Sequence, residues 1–243
     1  MGKSSETQPI RANREGAEST QAKIQTRDLS REIEGEAVVD SVSVSVEEGE
    51  FLGVVGPSGA GKSSLLRLFN RLDEPTRGTV LVDGVDYREI PPRELRRRVG
   101  LVLQSPALVE GTVYDNVTMG RRLRDEEFDD EEVGSLLERV GLEGYSEREV
   151  SNLSGGEAQR VSIARTVFNK PEVILLDEPT SSLDSRAEEA VEEVVLRLRE
   201  TEGMTGVVVT HDKSQARRLC DTAVRLRDGR VTRSGSVEEV IET

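Results

Sequence analysis

Cysteine is all but missing from this sequence. The one present, Cys220, excludes an intrachain disulfide and any cysteine-rich metal cluster. Long apolar runs are missing too: none approaches the ~20 residues that a bilayer-spanning helix needs. Residues 1–21 are polar and lack the apolar segment of a signal peptide, so they read as a disordered tail. Basic charge is in deficit, with 33 Lys+Arg against 47 Asp+Glu and a net charge of −14. Only five of the cations are lysines. That balance argues against nonspecific nucleic-acid binding, which wants a basic face, so no nucleic-acid partner is expected. An acidic, lysine-poor surface fits adaptation to high salt, and GC-rich coding would also favour arginine. The acidic run from Asp125 to Glu132 reads as a solvated loop leading into a helix. Tryptophan is absent, and no Tyr or Phe precedes Phe51.

What is present is more specific. Gly56-Pro57-Ser58-Gly59-Ala60-Gly61-Lys62-Ser63-Ser64 matches the G-x-x-x-x-G-K-[ST] phosphate loop. An apolar run, residues 51–55, precedes it, and a helix-like run from Ser64 to Phe69 follows. The glycines permit backbone shapes that a Cβ forbids, so successive N–H groups can form an anion-binding nest. The following helix adds its positive end. Lys62 supplies a charge for β- and γ-phosphates, and the Ser63 hydroxyl is placed to ligate Mg²⁺. Further along, Val173-Ile174-Leu175-Leu176-Asp177-Glu178 reads as a buried parallel strand ending in two acids. Asp177 can hold the Mg²⁺ shell, and Glu178 can act as general base on a water. Leu153-Ser154-Gly155-Gly156-Glu157 is a second Ser-Gly-Gly turn able to bind phosphate from another direction.

The order of these motifs resembles that of the nucleotide-binding subunits of ABC transporters, over roughly residues 22–236. In that likeness 56–64 is Walker A, Gln104 the Q-loop glutamine, 153–157 the signature and 173–178 Walker B. Ser181-Ser182-Leu183-Asp184 matches the D-loop, and His211, the one histidine, matches the switch histidine. The resemblance implies an α/β fold: a P-loop NTPase core with an antiparallel β subdomain and a helical subdomain at about 105–152. It implies one ABC ATPase domain over 22–243. It implies ATP and Mg²⁺ as cofactors, and a role for Asp184 in the nucleotide site. His211 would contact the γ-phosphate, while Gln104 would reach Mg²⁺ and the attacking water. Two copies would pack head to tail, each ATP lying between one Walker A and the partner copy's Ser154, Gly155 and Gly156. A separate transmembrane permease, and an extracellular substrate-binding protein in an importer, would complete the assembly at the cytoplasmic face of the membrane.

Two departures from the family pattern stand out. The aromatic residue expected to stack on the base is missing, the aligned position lying near Ile33, which leaves ATP against GTP open. The signature ends in Glu157 where Gln is commoner. Residues 104–117 resemble the corresponding stretch of phosphate-import ATPases and of a group linked to metal export, which points to phosphate or another small inorganic ion. A non-transport ATPase of the same fold is the alternative, driving a membrane-bound mechanical complex or iron–sulfur assembly. The 88 residues between Ser64 and Leu153 leave no room for the long coiled coil of chromosome-maintenance relatives.

Coarser patterning gives the elements. Alternating apolar positions, including Val42, Val44 and Val46, read residues 23–55 as antiparallel strands. Gly78–Gly84 reads as a strand between turns, and residues 105–152 as mostly helical with an amphipathic piece from Val133 to Val140. A helix is expected from about Glu157 to Asn169, ending before Pro171. A last hairpin should turn at Asp228-Gly229.

Overall fold

The computed structural model describes residues 22–242. The expected disordered tail, 1–21, lies outside them. The described residues form two sheets. The first is antiparallel and holds five strands: β1 (Ala22–Ile33), β2 (Glu36–Val42), β3 (Ser45–Glu47), β5 (Arg77–Val82) and β6 (Val85–Asp86). The second holds β4 (Phe51–Val55), β7 (Val99–Val102), β8 (Val173–Asp177), β9 (Thr205–Thr210), β10 (Thr222–Arg227) and β11 (Arg230–Ser236). Its order is β11-β10-β4-β9-β8-β7, and every pairing except β10 with β11 is parallel.

Burial explains that division. All residues of β4, β8 and β9 are buried, as strands covered on both faces must be. β2 shows partial burial instead, which suits a sheet with one wet face. The expectation of antiparallel strands across 23–55 therefore fails at its end. Phe51–Val55 pairs in parallel with β9 and β10, because its run is continuously apolar rather than alternating.

The helices are α1 (Lys62–Phe69), α2 (Pro92–Arg98), α3 (Val113–Arg122), α4 (Asp130–Arg139), α5 (Gly155–Phe168), α6 (Ser185–Glu202), α7 (Lys213–Leu219) and α8 (Val237–Ile241). One apolar core packs α3 to α7 against the second sheet, with Phe51, Leu136, Val161 and Val208 in it. The other joins the two sheets around α1, through Leu52, Leu65, Val80 and Val209. Residues 105–152 are less helical than their sequence suggests. α3 and α4 contribute ten residues each. Positive φ at Gly111, Asp125, Gly141 and Gly144 divides the rest into turns. α5 starts two residues earlier than expected, because Ser154 is its N-cap. The final hairpin turns where expected, with Asp228 at φ 49° and Gly229 at φ 75°, as a type I′ turn requires.

This topology gathers the motifs. β7, β8, β9 and β4 are parallel neighbours, and Gln104, Glu178, His211 and the phosphate loop all follow their carboxyl ends. That edge is where open α/β sheets bind ligands.

Candidate functional site

Residues 56–61 connect β4 to α1 and are clamped from outside. Gly61 caps α1 at φ 93°, and a Cβ there would lie 2.1 Å from the Val38 carbonyl oxygen of β2. A Cβ on Gly56 would lie 2.2 Å from the Leu226 carbonyl oxygen of β10. Both positions exclude any side chain because the opposing atoms are backbone. The Gly229 N–H also donates to the Ala60 carbonyl at 3.1 Å, and the Asp40 N–H to the Gly229 carbonyl at 2.9 Å. The loop is thus shaped before any ligand arrives.

Lys62 is buried at 5% exposure and curls over the loop. Its Nζ donates to the carbonyls of Gly56 and Pro57, each at 3.1 Å, and lies 3.5 Å from Glu178 Oε1. Ser63 Oγ donates to Asp177 Oδ1 at 2.8 Å. Burial pushes the Asp177 carboxyl above its ordinary range. The Ser63 hydroxyl opposes that rise and the neighbouring Glu178 charge adds to it. Glu178 sits in the left-handed region, φ 44°, where a non-glycine residue is uncommon. Its N–H is held by the Val209 carbonyl at 3.0 Å, which fixes the turn out of β8. Its Oε2 faces His211 Nδ1 at 3.1 Å. Gln104 Nε2 donates to Ser181 Oγ at 3.0 Å, and Ser181 Oγ donates to the Glu178 carbonyl at 3.2 Å.

One contact set therefore joins Gln104, Glu178, His211 and Lys62, with the Ser63–Asp177 pair beside it. Ser181, the first residue of the D-loop match, is the member that links Gln104 to the Glu178 backbone. It lies 77 residues from Gln104, so the sequence names it without showing this contact. Ser154, Gly155, Gly156, Glu157 and Asp184 form a different group. Asp184 caps α6 by accepting from the N–H groups of Arg186 and Ala187. It shares a groove with Ser154, Gly156 and Arg160.

Glu157 has turned inward. One oxygen accepts from the Ser154 N–H and the other from the Tyr145 hydroxyl, both at 2.7 Å. Ser154 Oγ accepts in return from the Glu157 N–H, which completes a capping box. These donors, the Ser154 N–H first, pull the Glu157 carboxyl down from 4.5 to about 2. Such a group adds stability above its unfolded value of 4.5, and that stability is lost as pH falls towards about 2. Glu157→Gln should cost about 1 kcal/mol at pH 7. Thermal unfolding of the two proteins should converge as pH falls from 5 to 3. A gap that stays constant with pH would rule out the carboxylate as its source.

The family model described as "ABC transporter" matches residues 39–181. The chain belongs to the ABC transporter family. Among ABC relatives, rice (Oryza sativa subsp. japonica) Protein STAR1 is 47% identical over 212 residues, which is 86% of this chain and 61% of that one. Methionine import ATP-binding protein MetN of Caulobacter vibrioides is 42% identical over 212 residues, 85% of this chain and 64% of that one. The chain thus spans less than two thirds of either relative. The ATP-binding cassette MJ0796, solved as a dimer with ADP and Pi, is 32% identical and superposes with a TM-score of 0.78. The match covers 88% of this chain and 98% of that one. The fold is accordingly the ABC cassette's, an α/β P-loop NTPase architecture. Ile33, near which the base-stacking position was expected, is exposed at the end of β1.

Mg²⁺ fits the donor set. Ser63 Oγ and Asp177 are hard oxygens already in contact, the pattern of a cation held by one carboxylate plus phosphate and water. Among the described residues no group of three His, Cys, Asp or Glu could hold a metal unaided.

Proposed function

We propose that this chain binds and hydrolyses ATP and so powers an ABC transporter. The observation that carries this is Glu178, held between Lys62 and His211 at the mouth of a pre-shaped phosphate loop. In this reading the loop N–H groups and the α1 N-terminus hold the β- and γ-phosphates. Lys62 exchanges the Gly56 and Pro57 carbonyls for phosphate oxygens. Ser63 and Asp177 would hold Mg²⁺, which neutralises charge on the transferring phosphoryl group. Glu178 takes the proton of the attacking water, and His211 orients its carboxylate. Gln104 senses this arrangement through Ser181.

The signature turn completes the site from a second copy. Ser154 and Gly155 are exposed at the start of α5, whose positive end suits phosphate. The MJ0796 dimer supports that pairing. A separate transmembrane permease, with this chain at its cytoplasmic face, and an extracellular substrate-binding protein complete the assembly. The MetN relative is named for methionine import, which supports the import direction. Phosphate or another small inorganic ion is the proposed cargo, supported by residues 104–117.

The test is a pull-down of the Glu178→Gln protein from detergent-solubilised native membranes with ATP and Mg²⁺, read by mass spectrometry. A polytopic membrane protein is expected with it. Recovery of soluble partners alone would overturn the transport reading in favour of a non-transport ATPase.

A further inference from the structure

Behind the site lies a buried polar network that none of the motifs includes. Gln215, in α7, is 1% exposed. Its Nε2 donates to Thr180 Oγ1 at 2.7 Å and to Glu192 Oε1 at 3.0 Å. Glu192, in α6, is 4% exposed. Its oxygens accept from Arg218 Nε at 2.6 Å and Arg218 Nη2 at 2.7 Å. Thr180 accepts from Gln215 and turns its own hydroxyl to Glu188 Oε1 at 3.3 Å. Each donor has its acceptor: Gln215 donates to both sides, and the bonds end on the carboxylates of Glu188 and Glu192. Packed apolar groups could fill this space at less desolvation cost.

Its placement gives the reason for that cost. Thr180 is two residues beyond Glu178, in the turn leaving β8. Gln215 is four residues beyond His211, in the helix that follows it. The Asp212 carboxylate accepts from the N–H groups of Ser214 and Gln215, and the Asp212 N–H donates to Thr210 Oγ1. The start of α7 is therefore rigidly joined to His211. The Gln215–Thr180 bond then ties the Glu178 turn to the His211 segment. The Glu178–His211 contact itself is a pair with one half-exposed member, and contacts of that kind hold weakly without support.

We infer that Gln215 is a positioning residue for the Glu178–His211 pair, anchored through Thr180 and Glu192. The inference rests on the ATPase reading for its catalytic consequence, but its geometry can be tested alone. Gln215→Met keeps length and volume while deleting both donors. Glu192 retains Arg218 and Thr180 retains Glu188, so no buried carboxylate is stranded. Because His211 is the one histidine, ring-¹⁵N labelling of the full chain reports that residue alone.

The His211 Nδ1 signal of Gln215→Met is expected to move towards its position in Glu178→Ala. ATP turnover should fall about tenfold in kcat with KM within about twofold. A network that served stability alone would lower the melting temperature and leave the ring signal in place. An unmoved signal in folded Gln215→Met, or unchanged kcat, overturns the inference. Thr180→Val cuts the same link from its other end, so a fold that fails in one variant does not shelter the idea. A moved signal in Gln215→Met, found together with a wild-type chain that turns over no ATP, would instead remove the ATPase reading and leave the structural link standing.

Discussion

Lys62→Ala should reduce ATP turnover at least about a hundredfold, the scale lost with a single preorganised charge donor. Among the described residues, its ammonium is in direct contact with both the loop carbonyls and Glu178. At 5% exposure it is sheltered from water, so its charge acts on phosphate with little screening. The fold should survive. The two loop carbonyls belong to partly exposed Gly56 and exposed Pro57, which water can reach. Turnover measured beside a melting curve separates the two effects. A folded variant with near wild-type turnover would remove Lys62 from the site.

Glu178→Gln should split the kinetic constants. Glu178 competes with phosphate for Lys62, because its Oε1 lies 3.5 Å from Nζ. Removing the negative charge frees the lysine, so ATP should bind more tightly. The same change deletes the proposed base, so kcat should fall by about 10²- to 10⁴-fold. Lower KM with lower kcat would mark a ground-state contact removed along with a catalytic one. Trapped ATP should then hold two copies together, visible as a dimer by sedimentation that disperses when the nucleotide is removed. Weaker ATP binding in this variant would contradict the competition, and a strictly monomeric ATP-bound protein would contradict the sandwich.

The parts of this site that could be read from the sequence are those set by short spacing. The loop from Gly56 to Ser64 needs nine consecutive residues, and Asp177-Glu178 simply follow four apolar positions. The shape of their surroundings could not be read, because it depends on distant partners. Gly61 must be glycine because Val38 approaches it from another sheet. Glu157 reads as a departure from the family until the Tyr145 hydroxyl and the Ser154 N–H are seen each to donate to one of its oxygens. Asp184, expected in the nucleotide site, also caps α6, a bond its sequence neighbours do not announce. Strand direction was equally hidden at Phe51–Val55, since an apolar pentapeptide does not name its neighbours. The antiparallel strands were legible where polar and apolar residues alternate, as from Val42 to Val46, where β2 gives way to β3 along β1.

The clamp on the phosphate loop also has a consequence for the order of assembly. Ala60 is secured by Gly229, and Gly229 in turn by Asp40. A chain emerging from the ribosome makes residues 56–64 early, yet it cannot fix their shape until residue 229 has been synthesised. Contacts of such long sequence separation form late and slowly. A nascent chain stalled before β10 should therefore carry a complete Walker A sequence with no competence to bind nucleotide. Nucleotide binding would thus wait until nearly all of the described residues had been made.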